Sequence, residues 1–404
     1  MIVYLIPLAV YAELGPTLEG KENASEQSEQ VEQITDKSIA PDALFELTDR
    51  REQNVKHFRL SDGSIVAAQY ATPIHEQDEN GEWQDIDNTL GDSGNEYATS
   101  NARVKFAKKI TGNPNLFTLH DGKYKITMSL DGAIKKTPGT VTNTKTEFGD
   151  DTTQLQKMMT LDKLSAKIMY ADILDGVDLE YVLESVNIKE NIIVKQKKDS
   201  YTYTFNLDLN NLTAALQPDG SIHISDPDSG EIKYRMPAPI VYDAAGITAP
   251  SSLSAYTMTK TGNHTYALSV TVNTDWMNAE ERVFPVTVDP TIVSYEDIVI
   301  DTYVTQDFPN TSQENYEDLR ISNSEHSYWI LRDLPLLPQS SQIIEATISL
   351  CRSSGYGYRI GVYPITSAWS PSITWNEVIE ESNGVLSTEL LDYQLIKSNE
   401  NNDE

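Results

Sequence analysis

Tyr201-Thr202-Tyr203-Thr204-Phe205-Asn206-Leu207-Asp208 alternates apolar and polar residues without a break. In a strand, residues two apart share a face, so this period belongs to a strand and not to a helix. Tyr201, Tyr203, Phe205 and Leu207 take one face, and Thr202, Thr204, Asn206 and Asp208 the other. One apolar and one wet face is the signature of an antiparallel sheet covered on one side only.

The same reading extends outward from this strand. HFRLSDGSIVAAQY has two strand-like arms around Ser61-Asp62-Gly63, where glycine accepts the positive φ of a hairpin turn. PIHEQDENGEWQDIDNTL bends at Glu79-Asn80-Gly81, and KYKITMSL, residues 123–130, alternates cleanly. SIHISDPDSGEIKYRM turns at Asp226–Gly230, and TYALSVTVN and RVFPVTVDP follow. Pro290 closes this region because it cannot continue a central ladder. A second series of short strands runs through IVIDTYVT, DLRIS, SYWILRDL, IIEATISLCRS and YRIGVYPI. The expected fold is all-β, with two antiparallel β-sandwich, jelly-roll-like domains at 55–291 and 292–404. Residues 151–166 fit neither period.

The N-terminal part differs. Residues 1–12 are an apolar, signal-like run ending in Val10-Tyr11-Ala12, which suits a signal-peptidase site, yet no Lys or Arg precedes Lys21. It reads as a clipped signal segment and is too short to span a bilayer. Residues 13–54 read as a disordered tether rich in Glu, Gln and Ser, followed by a short helix over 41–54. No membrane insertion is expected.

The chain has 404 residues, 39% hydrophobic and 23% charged, which suffices for real cores. Its formal net charge of −30 argues against nucleic acid and anionic lipid as partners. The single cysteine, Cys351, permits no internal disulfide. Six histidines stand singly, and no GxSxG, GxGxxG or P-loop occurs. Asp226-Pro-Asp228-Ser-Gly230-Glu231 and Asp85-Ile-Asp87-Asn88 invite a calcium reading but lack the DxDxDG run. They read as Asx-rich turns; no cofactor is expected, and a structural calcium is left open. Nothing marks a catalytic site, so a non-enzymatic protein is expected, with a polysaccharide-degrading enzyme as the rival that would need paired carboxylates in a cleft.

The aromatic residues Trp329, Tyr356, Tyr358, Trp369 and Trp375 are the candidate ligand-binding set, because exposed rings stack on sugar faces. Large aromatics are buried more often than not, so Trp369 and Trp375 read first as core residues. Ile373-Thr374-Trp375-Asn376 reads as a strand start.

The second unit resembles the DNRLRE domain, also described as carbohydrate-binding-module-96-like. The resemblance rests on Asp301-Thr302-Tyr303-Val304, Asp318-Leu319-Arg320-Ile321, Trp329 to Pro335, Ile344 to Leu350, and the element Trp369-Ser-Pro-Ser-Ile-Thr374-Trp375-Asn376. The upstream region resembles the leader of Gram-positive secreted, wall-associated Rhs/YD-repeat proteins, through Lys56 to Ser64, Trp83 to Leu90, Val104 to Lys108, Gly176 to Tyr181, Lys189 to Ile192 and Phe284 to Thr291. These resemblances imply a secreted or cell-wall-associated surface protein with a cell-wall or environmental polysaccharide as partner, or alternatively a display stalk for a toxin or adhesin. They also imply further strands, repeats or domains of a larger protein beyond the T-W-N element, so the chain is expected to be a fragment.

Overall fold

The structure is a computed structural model. It describes residues 6–13, 42–70, 72–111, 115–150, 152–294, 299–313, 325–331, 342–349, 359–362, 370, 372–380 and 392–395. The all-β expectation holds: the described elements are strands in several antiparallel sheets, with only short helices. No described helix is long and apolar enough to cross a membrane.

The chain divides into two units. The first comprises residues 1–72, 153–159 and 297–404, and the second residues 73–152 and 160–296. The division falls at residue 73 rather than 55. The hairpin of Val55–Leu60 and Ile65–Gln69 finds its neighbours in Ala43–Glu46 on one side and Ile6–Glu13 on the other, so its pairing assigns it to the first unit. Ile6–Glu13, most of the signal-like run, is therefore a strand, and its other edge pairs with Gln342–Ser349. The helix expected over 41–54 is instead the strand Ala43–Glu46 and one 3-10 turn, Thr48–Arg50. Edge pairing with Val55–Leu60 outweighs a local helical preference that too few residues support. In the ambiguous 151–166 stretch, Gln154–Met159 is helical, and its first N–H groups donate to the Asp42 carboxylate.

The second unit is a β-sandwich. Its principal strands, in chain order, are β1 (Gly91–Ser93), β2 (Glu96–Ala98), β3 (Val104–Ala107), β4 (Phe117–Asp121), β5 (Tyr124–Leu130), β6 (Thr140–Asn143), β7 (Ser165–Leu174), β8 (Val177–Glu184), β9 (Asn187–Val194), β10 (Thr202–Asn210), β11 (Ile240–Asp243), β12 (Ser254–Lys260), β13 (Thr265–Val272), β14 (Val286–Asp289) and β15 (Thr291–Ile292). One sheet runs β12-β13-β10-β5-β4-β3-β2-β1. The other runs β6-β7-β8-β9-β14-β11, with β15 also on β9. The alternating strand that opened the reading is β10, at the centre of the first sheet, and Tyr201, Tyr203, Phe205 and Leu207 are all buried.

The two inner faces form one apolar core. Phe106 and Phe117 from the first sheet meet Tyr181 from the second, with ring centroids 5.2 and 5.8 Å from it. Turns are set by residues that tolerate positive φ. Gly176 at φ +64° joins β7 to β8, and a Cβ there would lie 2.8 Å from Gln196 Nε2.

Candidate functional site

The expected aromatic set is only partly described. Tyr356, Tyr358 and Trp369 lie outside the described residues. Trp329 falls in the strand Glu325–Leu331, opposite Asp301 in register, with its side chain outside the description. Trp375 is half-buried. It does not begin a strand as expected but the short helix Trp375–Glu380. The reason is a cap: the Thr374 N–H donates to Glu377 Oε2 at 2.7 Å, and the Thr374 hydroxyl donates to the same oxygen at 2.9 Å. Thr374-Trp-Asn-Glu377 is thus the T-x-x-E capping signal, which the sequence carried and the strand reading overlooked.

The next residue ties this helix to a loop. The Asn376 N–H donates to the Pro309 carbonyl, and Asn376 Nδ2 donates to Asn310 Oδ1 at 2.8 Å. That loop continues from Val299–Thr305, where Thr302, Tyr303, Val304 and Thr305 are buried. The T-W-N element therefore acts in this unit as a clasp on residues 309–310.

The sandwich offers three polar constellations. At the Asp226–Gly230 turn, Asp226 Oδ1 accepts the N–H of Asp228 and Ser229, while Oδ2 takes the Lys123 ammonium at 2.8 Å and the Tyr124 hydroxyl at 2.5 Å. The Lys123 ammonium and the Tyr124 hydroxyl, aided by the two backbone donors, hold this carboxyl well below the usual range. Its oxygens are engaged by protein donors, so the segment is an Asx-type turn. Asp87 is likewise paired with Lys163 at 2.9 Å, and the Asn88 amide donates to the carbonyls of Leu164 and Ser185. Among the described residues, no group of three or more His, Cys, Asp or Glu side chains is placed to hold a metal ion.

The second constellation lies on the outer face of the first sheet. Lys105 stands opposite Thr118, and His120 opposite Lys125. Exposed Asp208, opposite Thr127 on the same face, sets a negative charge beside them.

The third is inside. The β9 sequence places Ile188, Glu190, Ile192 and Val194 on the inner face, so a carboxyl enters the apolar core. Glu190 is 2% exposed and directly opposite Tyr181 of β8. Its Oε1 has no protein hydrogen-bond partner, and neither have the buried hydroxyls of Tyr181, Tyr203 and Tyr256. Burial pushes the Glu190 carboxyl far above the ordinary range; Tyr181 opposes that, and the neighbouring charge of Asp289 adds to it. Tyr181 and Tyr256 are driven upward in turn, chiefly by burial. No expectation singled out Glu190, although a Glu in phase with three aliphatic residues was a readable signal.

Fold and site together define an all-β protein built on an antiparallel sandwich with a carboxyl sealed in its core. Among proteins of known function, the chain is similar to one from Bacillus spizizenii named tRNA3(Ser)-specific nuclease WapA, 29% identical over 304 residues. It is equally similar to the Bacillus subtilis protein named tRNA nuclease WapA, 29% identical over 303 residues, and to one from Bacillus subtilis subsp. natto named tRNA(Glu)-specific nuclease WapA. Each match covers 72% of this chain and 12% of the relative. No protein-family model matches the chain, and no solved structure matches it.

These similarities correct three expectations: a non-enzymatic carbohydrate-binding protein, the absence of enzymatic activity, and the exclusion of a nucleic-acid partner. The relatives are named for an enzymatic action on tRNA. The charge argument failed because a net charge of −30 is summed over the whole chain. It governs long-range steering and solubility, and does not decide what a local site handles.

Proposed function

We propose that this chain is part of a tRNA-cleaving protein, with the sandwich of residues 73–152 and 160–296 as its rigid carrying part. The observation that carries this reading is the similarity to three tRNA nucleases over 72% of the chain. The matched stretch amounts to 12% of each relative's length, and in this reading the cutting residues lie outside it. The internal character of the sandwich agrees with a support role. Asp226, Asp243 and Asp289 are each tied to a lysine or arginine, and Glu190 is closed off from any substrate.

The resemblance of residues 56–291 to the leader of secreted Rhs/YD-repeat proteins supports an extracellular, wall-associated place for this part. The DNRLRE-like stretch from Asp301 to Asn376 extends the support as a second β module. The test is incubation of the intact protein with total tRNA, followed by mapping of fragment ends. Cleavage at a discrete position is expected. Intact tRNA under every buffer and divalent-ion condition would overturn the reading.

A further inference from the structure

The Glu190 carboxyl is more than a packing anomaly. An ionised carboxylate without a cation is expensive to bury, and the cheap solution is to keep its proton. Burial and the charge of Asp289 both favour the proton on Glu190, and Tyr181 offsets them only in part. β8 contributes Tyr181, directly opposite it, and the facing sheet contributes Tyr256 from β12. β10 and β12 place Tyr203 and Tyr256 on either side of Val270 in one row. β14 contributes Asp289, whose negative charge opposes ionisation of Glu190. The nearest cation in sequence, Lys189, points to the other side of β9 and is bound to Asp289 at 2.6 Å. Among the described residues, no lysine or arginine acts on Glu190.

We infer that the sandwich carries an internal proton on Glu190 as part of its fold, and that loss of this proton as pH rises is a built-in release for the strands around β8 and β9. The sandwich is firmest in mildly acidic surroundings and loosens toward alkaline ones. The sign follows from linkage. A carboxyl whose folded pKa is raised binds its proton more tightly when folded. Its stabilising contribution is complete below the unfolded pKa, about 4.3 for glutamate, and is lost as pH rises from there through the folded pKa. In that window one proton separates the folded and open states, so the opening equilibrium shifts about tenfold per pH unit.

The experiment compares the intact chain with Glu190→Gln, which keeps shape and volume but carries no titratable proton. Hydrogen-exchange protection of residues 177–194 is measured in both at matched pH from 5 to 9, so that intrinsic exchange rates cancel. The ratio of protection in the variant to that in the wild type should rise with pH, approaching tenfold per unit. Carbon-13 NMR of the glutamate side-chain carboxyls gives a second reading that does not need the variant to be stable. One wild-type carboxyl should remain protonated at neutral pH. If every glutamate carboxyl titrates in the ordinary acidic range, or the protection ratio stays constant from pH 5 to 9, the inference is wrong.

Discussion

Arg282 and Asp243 form an ion pair whose loss should be felt throughout the sandwich. The Nη1–Oδ2 distance is 2.9 Å, and the two side chains are 4% and 0% exposed. The Asp243 carboxylate also accepts the N–H groups of Ala245, Ile247 and Val283 at 2.9–3.2 Å. The guanidinium lies 3.9 Å from the Trp276 ring centroid, and its Nε donates to the Trp276 carbonyl at 3.3 Å. Replacing Arg282 by Met keeps an apolar stem against the indole and removes only the charge and its donors. An unpaired buried carboxylate remains, and breaking a buried pair in this way costs about 3–5 kcal/mol. With an m-value near the upper end of the usual 1–3 kcal/mol/M range, the urea midpoint should fall by roughly 1–2 M.

The penalty should depend on pH in a defined direction. Burial raises the Asp243 pKa, but the three backbone N–H groups and Arg282 outweigh it and hold the carboxyl low. Its contribution is present above the unfolded pKa and lost as pH falls through the folded one. The cost of Arg282→Met should therefore be largest near neutrality and shrink in acid, where a protonated Asp243 needs no cation. Asp243→Asn combined with Arg282→Met should cost less than the two single changes added together. Urea unfolding followed by near-ultraviolet circular dichroism reads all of this. A loss below about 1 kcal/mol at pH 7, the scale of an exposed pair, would refute the reasoning.

Three further outcomes follow from the structure. Phe117→Ala removes a ring packed against both Phe106 and Tyr181 and should lower stability by about 3–5 kcal/mol in the same unfolding assay. Asp226→Asn should lower the thermal midpoint at neutral pH, and the variant and wild-type curves should begin to converge below about pH 4, because this carboxyl stabilises only while ionised. Asn376→Ala deletes the bond to Asn310 and should reduce exchange protection of residues 305–313 by the equivalent of about 0.5–1.5 kcal/mol, without affecting residues 177–194.

The parts of this fold that sequence could reveal are those in which a local period and a tertiary environment agree. β10 was readable because its alternation matches the inward and outward faces it takes. The turns at Gly63, Gly81 and Gly230 were readable because all three glycines adopt the positive φ that such turns require. The unit boundary was not, because it depends on which strands pair with the hairpin of residues 55–69, and pairing across the chain leaves no local mark. Trp375 was misread because the apolar Ile373 and Trp375, two apart, suggest a strand, while the Thr374–Glu377 cap specifies a helix start. Glu190 was overlooked because strand readings record apolar alternation and discount one polar residue in phase with it. Function was the least legible, since the tryptophans and the net charge both pointed away from the action on tRNA for which the similar proteins are named.

The central claim is that tRNA is cleaved by the protein and that the sandwich carries the cutting part without doing the cutting. The most direct test is kcat/KM for tRNA cleavage by the intact protein, compared with a triple variant in which Lys105, His120 and Lys125 are all replaced by Ala. His120 is exposed and Lys105 and Lys125 are half-buried on the same outer face, and an imidazole and two ammonium groups are the side chains a phosphodiester cleavage could use. The account predicts cleavage by both proteins at rates equal within about twofold, because none of the three touches the reacting atoms. Loss of a general acid or base would instead slow cleavage by roughly a hundredfold or more, and that result would move the chemistry into the sandwich and contradict the account.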